Sequence, residues 1–184
     1  YGDFGSYHIE FTLPNNYIID GTGLLVNDNE VLPEELRRKL DVSNFSNKPW
    51  NSAPSEIIPR IGKKTWKFSA INVHDAAYTA DPTYRIGEVT WNGIRCIALA
   101  QESHAVGWQN AASYVAKIIA ANSALIGNYA YPKIIAADAA DGMEYPMLTL
   151  DGGFDPTFRS LFIHEISHNW FVEMLGSNET YRAF

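Results

Sequence analysis

The sequence predicts an α+β fold, with antiparallel strands through roughly residues 1–80 followed by a mixed α/β part through residues 81–184. Three observations predict it. Apolar and polar residues largely alternate through Tyr7–Leu13 (YHIEFTL). Asn92-Gly93, the strongest short hairpin signal, separates the strand-like Ile86–Trp91 and Ile94–Ala100. Apolar residues then recur at helical spacing from Val106 to Leu125.

The elements follow in order. The alternation of Tyr7–Leu13 makes a half-buried strand, ended by Pro14-Asn15-Asn16. Tyr17–Asp20 and Leu24–Asn27 are short strands, parted by Gly21 and Gly23. Asp28–Leu40 contains Pro33-Glu34-Glu35-Leu36 and reads as a short helix or ordered loop. The stretch DVSNFSNKPWNSAPSEIIPR, dense in Asn, Ser and Pro, reads as a surface loop. Thr65–Val73 has the β-branched and aromatic enrichment of a strand. Asp81-Pro82 marks the joint between the two parts. The Val106–Leu125 helix stops near Gly127. Lys133–Ala137 is a mostly apolar strand of the kind covered on both faces, and Met147–Leu150 is another strand. Pro156–Leu175 reads as a second helix, with Asp155 as N-cap, Pro156 at the first position and Gly176 as the stop.

The 184 residues are 46% hydrophobic, enough for the core of one domain or parts of two. The net charge of −7 disfavours nucleic-acid and anionic-membrane partners, which need clustered cations. Arg37-Arg38-Lys39 and Lys63-Lys64 read as solvated faces. No apolar run approaches the roughly 18 residues of a membrane span. The single Cys96 excludes an internal disulfide framework and a Cys-rich zinc site, and its apolar surroundings make it a buried thiol. His8, His74 and His104 read as packed or surface residues, with His74-Asp75 a local hydrogen-bonded pair. Trp66, Trp91, Trp108 and Trp170 read as core aromatics, and Trp50 as an exposed loop residue.

The chemistry is concentrated in His164-Glu165-Ile166-Ser167-His168, an H-E-x-x-H inside the second helix. Residues four apart on a helix are offset by only about 40°, so two imidazoles can converge on one ion. Zinc accepts neutral His nitrogens and leaves a position open for water. Glu165 is then near enough to take a proton from that water without ligating the metal. With 5 His in the chain, such a match arises by chance about once in a hundred times. Catalytic zinc usually takes a third protein ligand. Glu173 lies nine residues past His164, about half a turn away from it on a continuing helix. Glu179 lies beyond Gly176 and could fold back. Phe171 and Met174 occupy the places of a metzincin Gly and His.

HEISHNWF at 164–171, preceded by DGMEYPMLTL at 141–150, resembles the M1 family of zinc aminopeptidases, a gluzincin group. NVHDAAYTADPTY at 72–84 is similar to the segment where that family's β-sheet domain meets its catalytic domain, and LGSNE at 175–179 is similar to a bacterial form. The resemblance implies the end of an antiparallel β-sheet domain over 1–80, then the N-terminal part of a thermolysin-like catalytic domain over 81–184. It implies one Zn2+ held by His164 and His168, with Glu165 as general base. Gly142-Met143-Glu144-Tyr145 stands at the family's exopeptidase motif. Glu144 is thereby implied to bind the substrate's α-amino group, and the backbone around Gly142 and Met143 its main chain. Tyr145 replaces the usual Asn, and Ala76 and Tyr78 stand where bulkier aromatics are more usual. The family's third ligand would fall three positions past Phe184. The resemblance therefore implies a fragment whose partner is the remainder of the catalytic domain, and which alone binds zinc weakly and turns over no peptide. It also implies an extracytoplasmic location, periplasmic or secreted. The alternatives are a thermolysin-like zinc endopeptidase and a non-catalytic interaction module with a degenerate metal site.

Overall fold

The computed structural model describes residues 3–139 and 142–175. Strand β1 (Gly5–Pro14) pairs antiparallel along its whole length with β4 (Lys63–Val73), and β3 (Leu24–Leu25) lies on the other side of β4. The alternation read in the sequence is the strand's own, with Tyr7, Ile9, Phe11 and Leu13 turned inward. Strands β2 (Ile18–Gly21) and β5 (Tyr78–Asp81) form a separate antiparallel pair. The 28–40 stretch is helical in two pieces, α1 (Asp28–Val31) and α2 (Glu34–Leu40), interrupted at Pro33, which has no N–H to continue a helix.

The second sheet positions the site. Its five strands run β6 (Tyr84–Trp91), β7 (Ile94–Gln101), β8 (Lys133–Asp138), β10 (Leu148–Asp151) and β9 (Met143–Tyr145) in spatial order. β7, β8 and β10 are parallel, while β6 and β9 are antiparallel edges. All six residues of β8 are buried, as its apolar run requires, because both sheet faces are covered. Cys96, Ala98, Ile134 and Ala136 face the helices α3 (Ala111–Leu125) and α4 (Arg159–His168). Ile97, Leu99, Ile135, Ala137 and Leu148 face Trp66 and Phe68 of β4 and Ile18 and Ile19 of β2. The small residues on the helix side let α3 pack close.

Several expectations need correction. The helix begins at Ala111 rather than Val106, because Glu102–Gly107 forms a 3-10 turn whose Glu102 is drawn into a buried ion pair. The second helix is regular only over Arg159–His168. Asp155 does not cap it. Its carboxylate accepts from Arg159 Nε at 2.7 Å and from Asn110 Nδ2 at 3.2 Å, and Pro156 lies in the turn before the helix. From Asn169 to Glu173 the helix widens to a π turn, with Met174 N–H reaching Asn169 O. Gly176 lies outside the described residues, as does Glu179. Strands β5 and β9 are additional to the sequence reading. Asp81-Pro82 is a tight turn, in which Asp81 Oδ1 accepts from Thr83 N and Oγ1 at 2.6 Å each.

The Asn/Ser/Pro-rich stretch has little regular structure beyond a 3-10 turn at Val42–Phe45, yet it is tied down. Glu102 is buried and accepts from Ser55 N at 2.7 Å and Ser55 Oγ at 2.8 Å, and it also pairs with Lys48 and Arg85. No helix among the described residues is long and apolar enough to cross a membrane.

Candidate functional site

Helix α4 buries Phe162 and Ile166, one turn apart, against the sheet and α3. The same period sets His164 and His168 on a more open side, the first exposed and the second half-buried. Their Nε2 atoms are 3.3 Å apart and the rings stand edge to face at 4.8 Å. Donor atoms of His164, Glu165 and His168 all lie within 4.8 Å of one another. Zn–N bonds of about 2.0–2.1 Å at a tetrahedral ion put two nitrogens roughly 3.3 Å apart, so the imidazole pair fits zinc. Ser167 fixes the intervening turn: its hydroxyl donates to Ile163 O at 2.6 Å and accepts from Asn122 Nδ2 of α3 at 3.0 Å.

Strand β9 brings the second motif alongside. Glu144 is half-buried, its Oε1 3.9 Å from His168 Nδ1. Gly142 lies against Glu165: a Cβ there would stand 2.1 Å from Glu165 Oε1 and 2.8 Å from Leu161 Cδ1. That contact gives Gly142 a steric reason independent of any motif. Met143 is exposed, and β9 is the last strand of its sheet, so its outer edge has no strand partner among the described residues. Tyr145 packs its ring against the cluster under the sheet, away from the role an Asn would have there.

The site is electronegative. Among the described residues no Lys or Arg pairs with Glu144, Glu165 or Glu173; Glu144 and Glu173 instead lie within ion-pair distance of imidazoles. Burial, and then the adjacent Glu144, push Glu165 above the ordinary carboxylate range, while His164 and His168 pull it back. Burial raises Asp151, at the end of β10, to about 7, with Glu165 adding to the effect. Glu173 is raised to about 8, first by burial and then by Glu144 and Asp75. Such an environment suits cations, a metal ion and an ammonium group among them.

The remaining sequence candidates fall elsewhere. Glu173 does not join the histidine pair but sits in the π turn, buried, with Oε2 2.9 Å from His74 Nε2. The expected His74-Asp75 pair is therefore replaced by a longer-range one, and Asp75 accepts from Ala76 N instead. His8 is exposed on β1. His104 lies between Asp138 Oδ2 at 2.8 Å and Asn51 Oδ1 at 3.1 Å and stacks on Trp50, which is 40% exposed. Asn169, directly after the second histidine, is the residue that sequence reasoning passed over. It is fully buried and bonded to the β9–β10 turn. Pro146, which the sequence reading did not use, was the available signal for that turn.

The sequence matches no protein-family model and no curated protein. Solved structures do match the fold. The M1 zinc metallopeptidase from Deinococcus radiodurans is 15% identical with a TM-score of 0.62, over 95% of this chain and 36% of that one. A point mutant of it gives 14% identity and a TM-score of 0.62 over the same shares. The mutant bound to a Tyr-Ser-Ala substrate gives 14% and 0.55, again over 95% and 36%. The chain thus has the α+β fold of part of those metallopeptidases and spans about a third of their length.

Proposed function

We propose that this chain carries the metal-binding and amine-recognising part of a zinc-dependent aminopeptidase. The observation that supports it most is the convergence of His164 and His168 with Glu165 beside them and Glu144 facing the same space. Either motif alone would be ambiguous, but together they set metal ligands, a base and a cation receptor side by side.

His164 and His168 would hold the zinc ion, which would supply Lewis acidity toward a scissile carbonyl and toward water. The protein's own groups do the rest. Glu165, beside the two imidazoles, is placed to take the proton of the attacking water and deliver it to the departing amine. Glu144 binds the substrate's α-ammonium, holding the first peptide bond one residue from the charge. The free edge of β9 offers backbone groups to an extended substrate, so that Gly142 and Met143 hold its main chain by strand addition.

Hydrolysis of leucyl-anilide by the full-length protein tests the reading. Turnover should depend on zinc, and Glu144→Gln should raise KM at least tenfold while an N-acetylated peptide remains a poor substrate. Equal cleavage of blocked and free peptides, insensitive to Glu144→Gln, would instead mark an endopeptidase. Zinc binding with no turnover of either would mark an interaction module.

A further inference from the structure

The hairpin that carries Glu144 turns through Pro146 and Met147. Met147 has φ +67°, a left-handed conformation that a long side chain rarely adopts and that falls most often to Gly or Asn at this turn position. The turn is held from outside: the Met147 side chain is buried in the core, and its main chain is bonded to other elements. Pro146 O accepts from Thr22 Oγ1 at 2.9 Å, and Met147 O accepts from Ile135 N of β8 at 3.0 Å. The remaining main-chain donor, Met147 N, reaches Asn169 Oδ1 at 3.1 Å. Asn169 is wholly buried, and its Oδ1 also accepts from Tyr129 OH at 3.0 Å, while its Nδ2 leans on Tyr145 O at 3.4 Å.

We propose that Asn169 is a positioning residue, a clamp that locks the strained Pro146-Met147 turn and so fixes the strand bearing Glu144 against the helix bearing the two histidines. Asn169 follows His168 directly, and Tyr145 follows Glu144 directly. The clamp therefore links the residues that immediately follow the two motifs' key side chains. An amide suits the task because one side chain accepts from one end of the turn and donates towards the other. The consequence is specific: loss of the clamp should move Glu144 relative to the histidines without unseating them, since His164 and His168 are held by α4 itself.

The inference rests on the aminopeptidase reading for its functional consequence, but not for its structural one. In the full-length protein, Asn169→Ala should speed hydrogen exchange of the Met147 amide at least tenfold. KM for leucyl-anilide should rise at least tenfold, with kcat and zinc affinity changed less than threefold. In a Met147→Gly background, where the positive φ carries no steric cost, the same Asn169→Ala change should alter KM less than threefold. Unchanged amide exchange would overturn the proposal. So would zinc affinity falling in step with KM, or an undiminished effect in the Met147→Gly background. If Asn169→Ala does not fold, Tyr129→Phe, which removes one donor to Asn169, should raise KM about threefold in the wild-type background only; no rise would overturn the proposal. If the unaltered protein turns over no free-amine substrate, the aminopeptidase reading fails, while the exchange rate at Met147 still decides whether Asn169 holds the turn.

Discussion

Glu165 and Gly142 meet so closely that neither can be considered alone. On the proposed reading Glu165 is the general base, and the wall behind its carboxylate is a residue with no side chain. Gly142→Ala would place a methyl group 2.1 Å from Glu165 Oε1, an impossible contact, so the base must swing away. General-base catalysis contributes about 10²–10⁴-fold. The variant should therefore lose at least tenfold in kcat with zinc affinity kept, which steady-state kinetics and zinc titration check together. His164, Glu165 and His168 were legible because their relation is local, one helical turn. The contact of Gly142 with Glu165 was not, since it joins segments more than 20 residues apart and no periodicity encodes it. Glu144 was visible through family resemblance only; its own surroundings in the sequence are those of an ordinary acidic residue.

Among the elements, α4 shows what a helix that presents a site must do. Its buried side is dense with aromatic contacts: Phe162 stacks on Phe158 at 4.3 Å and tilts against Trp108 at 5.4 Å. Phe162→Ala should cost about 3–5 kcal/mol of unfolding free energy, measurable by denaturant titration. The helix was legible from the punctuation around it, Asp155-Pro156 before and Gly176 after, but its bounds were not, since it is regular only over Arg159–His168. Asp155 looks like a cap and is taken instead by Arg159 and Asn110, and the π turn is imposed by contacts that Asn169 and Trp170 make across the fold. Short strands were missed for a related reason. β9 has three residues and β5 four, too few to show alternation, and both are defined by the partners they add to.

On the scale of the whole molecule, polar side chains stitch the first part of the chain to the second. Arg85 and Glu102 pin the Pro-rich stretch to the sheet, and His74, at the end of β4, meets Glu173 in the π turn behind the site. Glu173 has a second consequence. Its folded-state pKa of about 8 lies above the ordinary Glu value of about 4.3, so the folded chain binds a proton that the unfolded chain releases. The stability from this group is fully present below about pH 4.3 and is lost as pH rises through about 8. Glu173→Gln should flatten the fall in melting temperature between pH 5 and 8, by an amount on the order of a few kcal/mol of unfolding free energy. Melting curves across that range check it. The overall plan, β-rich then mixed, was legible because alternation and helical period dominate long elements. The cross-links were not, because each pairs residues distant in sequence.

Zinc titration of the metal-free, full-length protein tests the central claim most directly. The account predicts one ion per chain, lost in His164→Ala and in His168→Ala and retained in Glu165→Gln, whose turnover is abolished. An ion that both histidine variants still bind, or a protein that takes up no zinc with all three residues intact, would contradict it.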